Sequence, residues 1–213
     1  MKKILVTVPC DESYRESLRQ AAPGYMFEFA DRATATVQQV QGARIILGNV
    51  PPETIRASEE LQWLQLSSSG ADAYVKEGIL APGTVLTSST GAYGKAVAEH
   101  IFALTLALMK KLHLYRDAQH AHCWAGQGSV TSLTDATVLV IGTGDLGVNY
   151  ARLCKLCGAP PIGIRRREGE KPEGIDEMYL TADLDRLLPR ADIVASFLPG
   201  SRETTGLFTP ERF

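Results

Sequence analysis

Cysteine is scarce in this chain of 213 residues, with only Cys10, Cys123, Cys154 and Cys157. That number, with no paired spacing across the chain, excludes a small disulfide-stapled secreted scaffold. Together with the lack of a secretory signal at the start, it points to a reducing cytoplasm. Cys154 and Cys157 do stand in C-x-x-C spacing. A redox or zinc site would need that pair at a helix start, or a second pair elsewhere, and this pair falls inside an expected helix. Helix packing is the expectation for both, and no metal site is assigned. Charge of one sign is also lacking. The net charge of −2 offers nothing to nucleic acid or to an anionic membrane surface. Long apolar runs are missing too. The longest, Ile101 to Met109, is interrupted by Thr105 and flanked by Glu99 and Lys110, far too short to span a bilayer. It is expected as a helix buried nearly all round, at a domain or subunit junction. There are no internal repeats and no low-complexity tracts.

What the chain does have is an ordinary composition for an α/β protein with a real core, 45% apolar and 22% charged. Its organising stretch is Thr137 to Gly158. Thr137 to Ile141 is rich in β-branched residues and reads as a buried parallel strand. Gly142-Thr143-Gly144-Asp145-Leu146-Gly147 follows, with the G-x-G-x-x-G spacing. Leu146, Tyr150, Leu153, Cys154 and Cys157 then recur at helical intervals up to Gly158. Each glycine has its own reason. Gly142 lets the chain turn sharply off the strand, Gly144 lets a pyrophosphate approach the main chain, and Gly147 lets the helix pack closely on the strand. The free N–H groups and positive dipole end of the helix then face the phosphates. This order of strand, glycine turn and helix fits the fingerprint of a dinucleotide site, the alternative being a glycine-rich βα turn that holds no ligand.

The following strand, Pro160 to Ile164, ends in Arg165-Arg166-Arg167. A site preferring NAD places Asp or Glu near here, about twenty residues past the glycines, to hold the ribose 2′-OH. Guanidinium groups grip a 2′-phosphate instead, so NADP is expected over NAD; the alternative is a solvated basic turn, softened by Glu168 and Glu170.

Elsewhere strands and helices alternate. Strands are expected at Lys3–Val8, Tyr25–Phe29, Ala43–Leu47, Trp63–Leu66 and Thr84–Thr87. Asp11 is expected to cap a helix with Tyr14 and Leu18 on one side, and shorter helices are expected over Thr34–Gln41 and from Pro51. The alternation argues for α/β architecture with parallel sheets covered by helices. Ser67-Ser68-Ser69-Gly70-Ala71-Asp72 follows the fourth strand, and such a small-residue loop beyond a strand's carboxyl end can form a nest for a carboxylate or simply a polar turn. One long helix is expected from Lys95 to about Tyr115, and a domain boundary near residue 95. Of the four histidines, His100, His113, His120 and His122, none stands near a carboxylate in a way that suggests a base with its orienting partner. Further on, Asp183 can cap a short helix and Asp192 to Leu198 reads as another parallel strand. Pro199 to Thr204 follows its carboxyl end. Thr209-Pro210-Glu211 then reads as a helix start, which leads us to expect more chain beyond Phe213.

Four segments in this order resemble the D-isomer-specific 2-hydroxyacid dehydrogenases: Ser67–Asp72, Gly91–His100, Val138–Gly147 and Ala191–Thr204. Trp124 fits the same pattern. The resemblance implies two doubly wound parallel-sheet lobes with a cleft between them. A flavodoxin-like substrate lobe would occupy 1–95, and a Rossmann cofactor lobe, incomplete at its C-terminus, 96–213. It implies that Ser68, Ser69 and Gly70 hold a substrate carboxylate through main-chain N–H groups. Gly142, Thr143, Gly144, Asp145, Leu146 and Gly147 would line the pyrophosphate. Arg165 and Arg166 would select the 2′-phosphate, Leu198 and Pro199 would touch the nicotinamide side, and Thr204 would bond the cofactor. A homodimer through the cofactor lobe is implied as well. The implied chemistry is hydride transfer between NADP(H), or alternatively NAD(H), and a small 2-oxo or 2-hydroxy acid of the glyoxylate or hydroxypyruvate type. The alternative is a dinucleotide-binding module without catalysis. The family's catalytic arginine, glutamate and histidine would lie beyond Phe213, so no catalytic residue is assigned.

Overall fold

The computed structural model describes residues 2–56 and 58–212. The chain divides into two compact units, Met1–Ala92 and Tyr93–Phe213, and each is an α/β unit built on its own parallel sheet.

The first unit comprises β1 (Lys2–Val6), α1 (Glu12–Ala21), β2 (Tyr25–Phe29), α2 (Val37–Gln41), β3 (Ile45–Leu47), α3 (Pro52–Ile55), β4 (Trp63–Gln65) and β5 (Val85–Thr87). Its sheet runs β2-β1-β3-β4-β5, and every neighbouring pair is parallel. The order reverses at β1, which pairs with β2 on one side and β3 on the other. Ligands on open α/β sheets sit beyond the carboxyl ends of strands at such a point. Leu5, Ile46, Leu64 and Leu66 are fully buried and join Val40, Ile55 and Tyr74 in the core. Asp11 caps α1 as expected, accepting from the Tyr14 N–H at 2.8 Å. The side of α1 expected to pack does so only in part: Leu18 is half-buried, but Tyr14 is 61% exposed. Arg15 and Arg19 instead lie over the Phe29 ring, 4.8 and 5.4 Å from its centroid. Their long apolar stems and cation–π contact replace aliphatic burial. The helix expected over Thr34–Gln41 is confined to α2, because Thr36 forms a capping box with Gln39 and so fixes the start.

The second unit comprises α4 (Gly94–Met109), α5 (Leu112–His120), β6 (Val138–Ile141), α6 (Asp145–Leu156), β7 (Pro161–Arg165), β8 (Glu177–Leu180), α7 (Leu184–Leu187) and β9 (Ile193–Ser196). Its sheet runs β8-β7-β6-β9, again all parallel. All of β6 is buried because both faces are covered. Val138 and Val140 enter one core with Tyr150, Ala151 and Cys154, and Leu139 and Ile141 enter the other with Ile162, Ile164, Leu184 and Leu187. This is the period-two alternation of a strand between two helical layers. β8 escaped the sequence reading, since its Glu-Met-Tyr-Leu is short and opens on a charge.

The single helix expected over 95–115 is two. Lys111 adopts the left-handed conformation (φ 56°, ψ 33°), ending α4 in the way helices commonly end. The junction is tied down by the ammonium groups of Lys110 and Lys111, which donate to the carbonyls of Thr131 (2.8 Å) and Gln127 (2.7 Å). Nor is the apolar run buried all round within this chain. Ala98 is fully buried against α6, whereas Leu104 and Leu108 are 51% and 66% exposed. Cys154 is buried and Cys157 exposed, both as free thiols, so only the first packs into the core. Among the described residues, no helix is long and apolar enough to cross a membrane.

Candidate functional site

The glycine turn connects β6 to α6. Gly142 has φ +94°, and a Cβ there would press on the main chain of Phe197 at 3.0 Å. Gly147 lies in the first turn of α6, and a Cβ there would come 2.0 Å from the Gly142 carbonyl oxygen. Both positions therefore exclude a side chain for reasons internal to the fold. Gly144 differs: nothing lies within 4 Å of a Cβ built on it, and its φ of −80° suits any residue. The chain itself gives no reason for glycine there, while a ligand pressing on the main chain would. Gly144 also provides α6 with no side-chain cap. The opening N–H groups of the helix, at Asp145, Leu146 and Gly147, thus stay available to an anion. The methyl of Thr143 rests on Gly163 of β7, 2.8 Å from where a Cβ would be. These residues fit a dinucleotide's diphosphate.

A carboxylate in that first turn would repel phosphate if it faced the same way. The Asp145 side chain turns aside: it packs against Gly94 at the start of α4 and accepts from Asn149 Nδ2 at 3.1 Å. There it meets the positive end of α4. α6 is held to α4 through Tyr150, whose hydroxyl lies 2.9 Å from Thr105 Oγ1 and whose ring packs between Phe102 and Phe197. Burial raises the Tyr150 phenol above its ordinary range and pushes the Cys154 thiol up to about 11.

Arg165 ends β7, and its guanidinium bends back to the carbonyls of Glu170 (2.8 Å) and Gly169, holding its own loop in shape. Arg166 points outward into an ion pair with Glu203. Glu203 belongs to the turn after β9, which also carries Leu198, Pro199 and Thr204. The Thr204 hydroxyl donates to the Pro199 carbonyl (2.6 Å) and accepts from the Ser201 N–H (2.9 Å), so the turn closes on itself.

In the first unit, the loop after β4 carries Ser68, Ser69 and Gly70. Sequence reading missed its support, the 5%-exposed Asn49. Asn49 Oδ1 accepts from both the N–H and the hydroxyl of Ser67 at 2.9 Å, and its Nδ2 donates to the Ser68 hydroxyl at 3.0 Å. Ser68 Oγ in turn donates to the Gly70 carbonyl at 2.9 Å. The N–H groups of Ser68, Ser69 and Gly70 take no partner among the described residues. The loop is thus pinned by side chains while its main-chain donors stay free. Gly48, before Asn49, has φ +116° and would collide with the Thr7 hydroxyl if it carried a Cβ. A Gly-Asn pair after an apolar strand was the available signal. A cavity of about 740 Å³ opens beside this loop, lined by Asp31, Arg32, Asn49, Ser68, Gly70 and Tyr74 among others.

All four histidines are exposed, and none pairs with a carboxylate among the described residues.

Residues 102–213 match the profile of the D-isomer specific 2-hydroxyacid dehydrogenase NAD binding domain. The chain is 26% identical over 186 residues to a D-lactate dehydrogenase of Streptococcus agalactiae, covering 84% of this chain and 56% of that one. Among solved structures, a D-isomer specific 2-hydroxyacid dehydrogenase family protein of Aeromonas salmonicida superposes with TM-score 0.82 at 28% identity, covering 98% of this chain and 67% of the other. The D-lactate dehydrogenase of Aquifex aeolicus, in complex with NAD and lactic acid, shares the fold with TM-score 0.79 at 21% identity, covering 99% and 65%. The chain spans a little over half the length of the curated relative.

Proposed function

The chain belongs to the D-isomer-specific 2-hydroxyacid dehydrogenase family, and from that premise we propose that it is the cofactor- and carboxylate-binding part of an NADP(H)-linked reductase of small 2-oxo acids, of the glyoxylate or hydroxypyruvate type. One observation supports this above the others: Gly144 is the one glycine of the fingerprint whose missing Cβ the fold does not require. In this reading the second unit is the cofactor lobe. Thr143, Gly144, Asp145, Leu146 and the flanking Gly142 and Gly147 hold the diphosphate by their main chain. The guanidiniums after β7, with Arg166 facing outward, favour a 2′-phosphate. Leu198, Pro199 and Thr204 flank the nicotinamide side. The first unit is the substrate lobe, in which the free N–H groups of Ser68, Ser69 and Gly70 take the carboxylate and Asn49 keeps that loop in place. The bound dinucleotide supplies a hydride for the substrate's C2; this chain's residues bind and orient both molecules.

The free thiols suit a cytoplasmic location. The exposed leucines Leu104, Leu108 and Leu112 supply an apolar face on α4 and α5 for homodimerisation through the cofactor lobe.

A second reading, a dinucleotide-binding module without catalysis, is favoured by the four exposed histidines, none of which has a carboxylate partner among the described residues. One experiment separates the two. The chain is titrated with NADPH and NADH by calorimetry, then mixed with NADPH and glyoxylate, hydroxypyruvate or pyruvate while nicotinamide absorbance is followed. Binding with turnover supports the reductase. Binding without turnover supports the module. No binding of either nucleotide overturns both.

A further inference from the structure

The turn after β9 brings a carboxylate, Glu203, to the arginines at the end of β7. β7 and β9 flank β6 on opposite sides, so the Arg166–Glu203 ion pair joins the two loops on either side of the glycine turn. Glu203 is not on a loose tether. The turn that bears it is closed by Thr204 to Pro199 and by Thr205 Oγ1 to the Ser201 carbonyl at 2.7 Å. Arg165 is committed to its own loop carbonyls; Arg166 and Arg167 are both exposed, and Arg166 is the one that Glu203 pairs.

We propose that Glu203 is a specificity-determining residue for the cofactor, competing with a ribose 2′-phosphate for Arg166 and serving a ribose 2′-hydroxyl when no phosphate is present. The inference rests on the dinucleotide reading of the glycine turn. Sites that take NAD hold the 2′-hydroxyl with a carboxylate at the end of the second strand. Here the carboxylate comes from the other side of the turn, across an ion pair. With NADPH, Arg166 exchanges a single carboxylate for a phosphate of higher charge and three acceptor oxygens, which a guanidinium can grip at two points. With NADH, Glu203 stays, neutralises Arg166 and accepts from the hydroxyl. The chain therefore takes both dinucleotides, preferring NADPH by less than the arginines alone would give. Both partners are 63% exposed. An exposed pair changes an equilibrium constant by about two- to fivefold and weakens as salt rises.

The test is calorimetric titration of the wild-type chain, Glu203→Gln, Glu203→Asp, Arg166→Met and the Arg166→Met/Glu203→Gln double variant with NADPH and NADH, at low and high salt. Glu203→Gln should tighten NADPH about two- to fivefold, weaken NADH by a similar factor, and lose much of the NADPH effect at high salt. Glu203→Asp should stay close to wild type. In the Arg166→Met background the glutamine should no longer change NADPH affinity. If wild type binds and Glu203→Gln leaves the ratio of the two affinities unchanged, the role of Glu203 is overturned and the dinucleotide reading stands. If wild type binds neither nucleotide, both fall together.

Discussion

The Asp145 carboxylate lies against Gly94 so closely that a methyl built on that glycine would come 2.2 Å from Oδ2 and 2.3 Å from Oδ1. The contact fastens the first turn of α6 to the start of α4, and it aims a negative charge away from the N–H groups that the diphosphate would use.

Gly94→Ala should therefore cost stability, about 1–3 kcal/mol for an overpacked position. The offending atoms belong to a side chain, so Gly94→Ala/Asp145→Ala should recover part of the loss. A coupling of about 0.5–3 kcal/mol is expected in a double-mutant cycle of denaturant unfolding. Strict additivity would show that the contact carries no energy.

Gly144 and Gly147 should respond oppositely to alanine. Gly144→Ala has open space around it, so its unfolding free energy should stay within about 0.5 kcal/mol of wild type. Affinity for NADPH and NADH should fall together, at least tenfold on the dinucleotide reading. Gly147→Ala meets a main-chain oxygen that has no easy retreat and should lose about 3 kcal/mol or more. A stable Gly147→Ala variant would contradict the described packing of α6 on β6.

Asn49→Ala removes an acceptor of the half-buried Ser67 N–H and a donor to the Ser68 hydroxyl. About 1–3 kcal/mol of stability should go with them, measured by thermal or urea unfolding. If the loop takes a carboxylate, binding of oxalate should weaken in the same variant. Unchanged oxalate affinity with lost stability would confine Asn49 to a folding role.

Alkaline pH should destabilise the second unit in a particular window. The folded Cys154 thiol is pushed up to about 11 from the ordinary 9.0, and the buried Tyr150 phenol is raised as well. Both pKa values rise on folding, so the unfolded chain ionises first. The contribution from Cys154 is fully present below pH 9 and is lost as pH climbs toward 11, at up to about 1.4 kcal/mol per pH unit. Cys154→Ala should flatten that decline in urea midpoints measured across the window. Iodoacetamide should modify exposed Cys123 and Cys157 in the native chain and spare Cys154 until it unfolds.

How far the sequence could be read follows from how local each cause is. β6, the glycine turn and α6 were legible because backbone sterics within a few consecutive residues dictate them. The Asp11 cap was legible for the same reason. The break at Lys111 was not, because no glycine or proline marks it and lysines reach from it to carbonyls of a later segment. Asn49 and Glu203 were invisible as functional candidates. Each acts on a partner well away in sequence, and those contacts exist only after strands pair in the observed order. The three arginines were visible, but that Arg165 turns back to the carbonyls of Gly169 and Glu170 and that Arg166 meets Glu203 depends on how the later loops fold.

The wedging of the glycine turn has a thermodynamic consequence. Thr143 presses on Gly163, and Gly142 abuts the Phe197 main chain, so the cradle is already shaped by its neighbours. On the dinucleotide reading, a ligand docking there would forfeit little backbone freedom, and more of the gross attraction would survive as affinity.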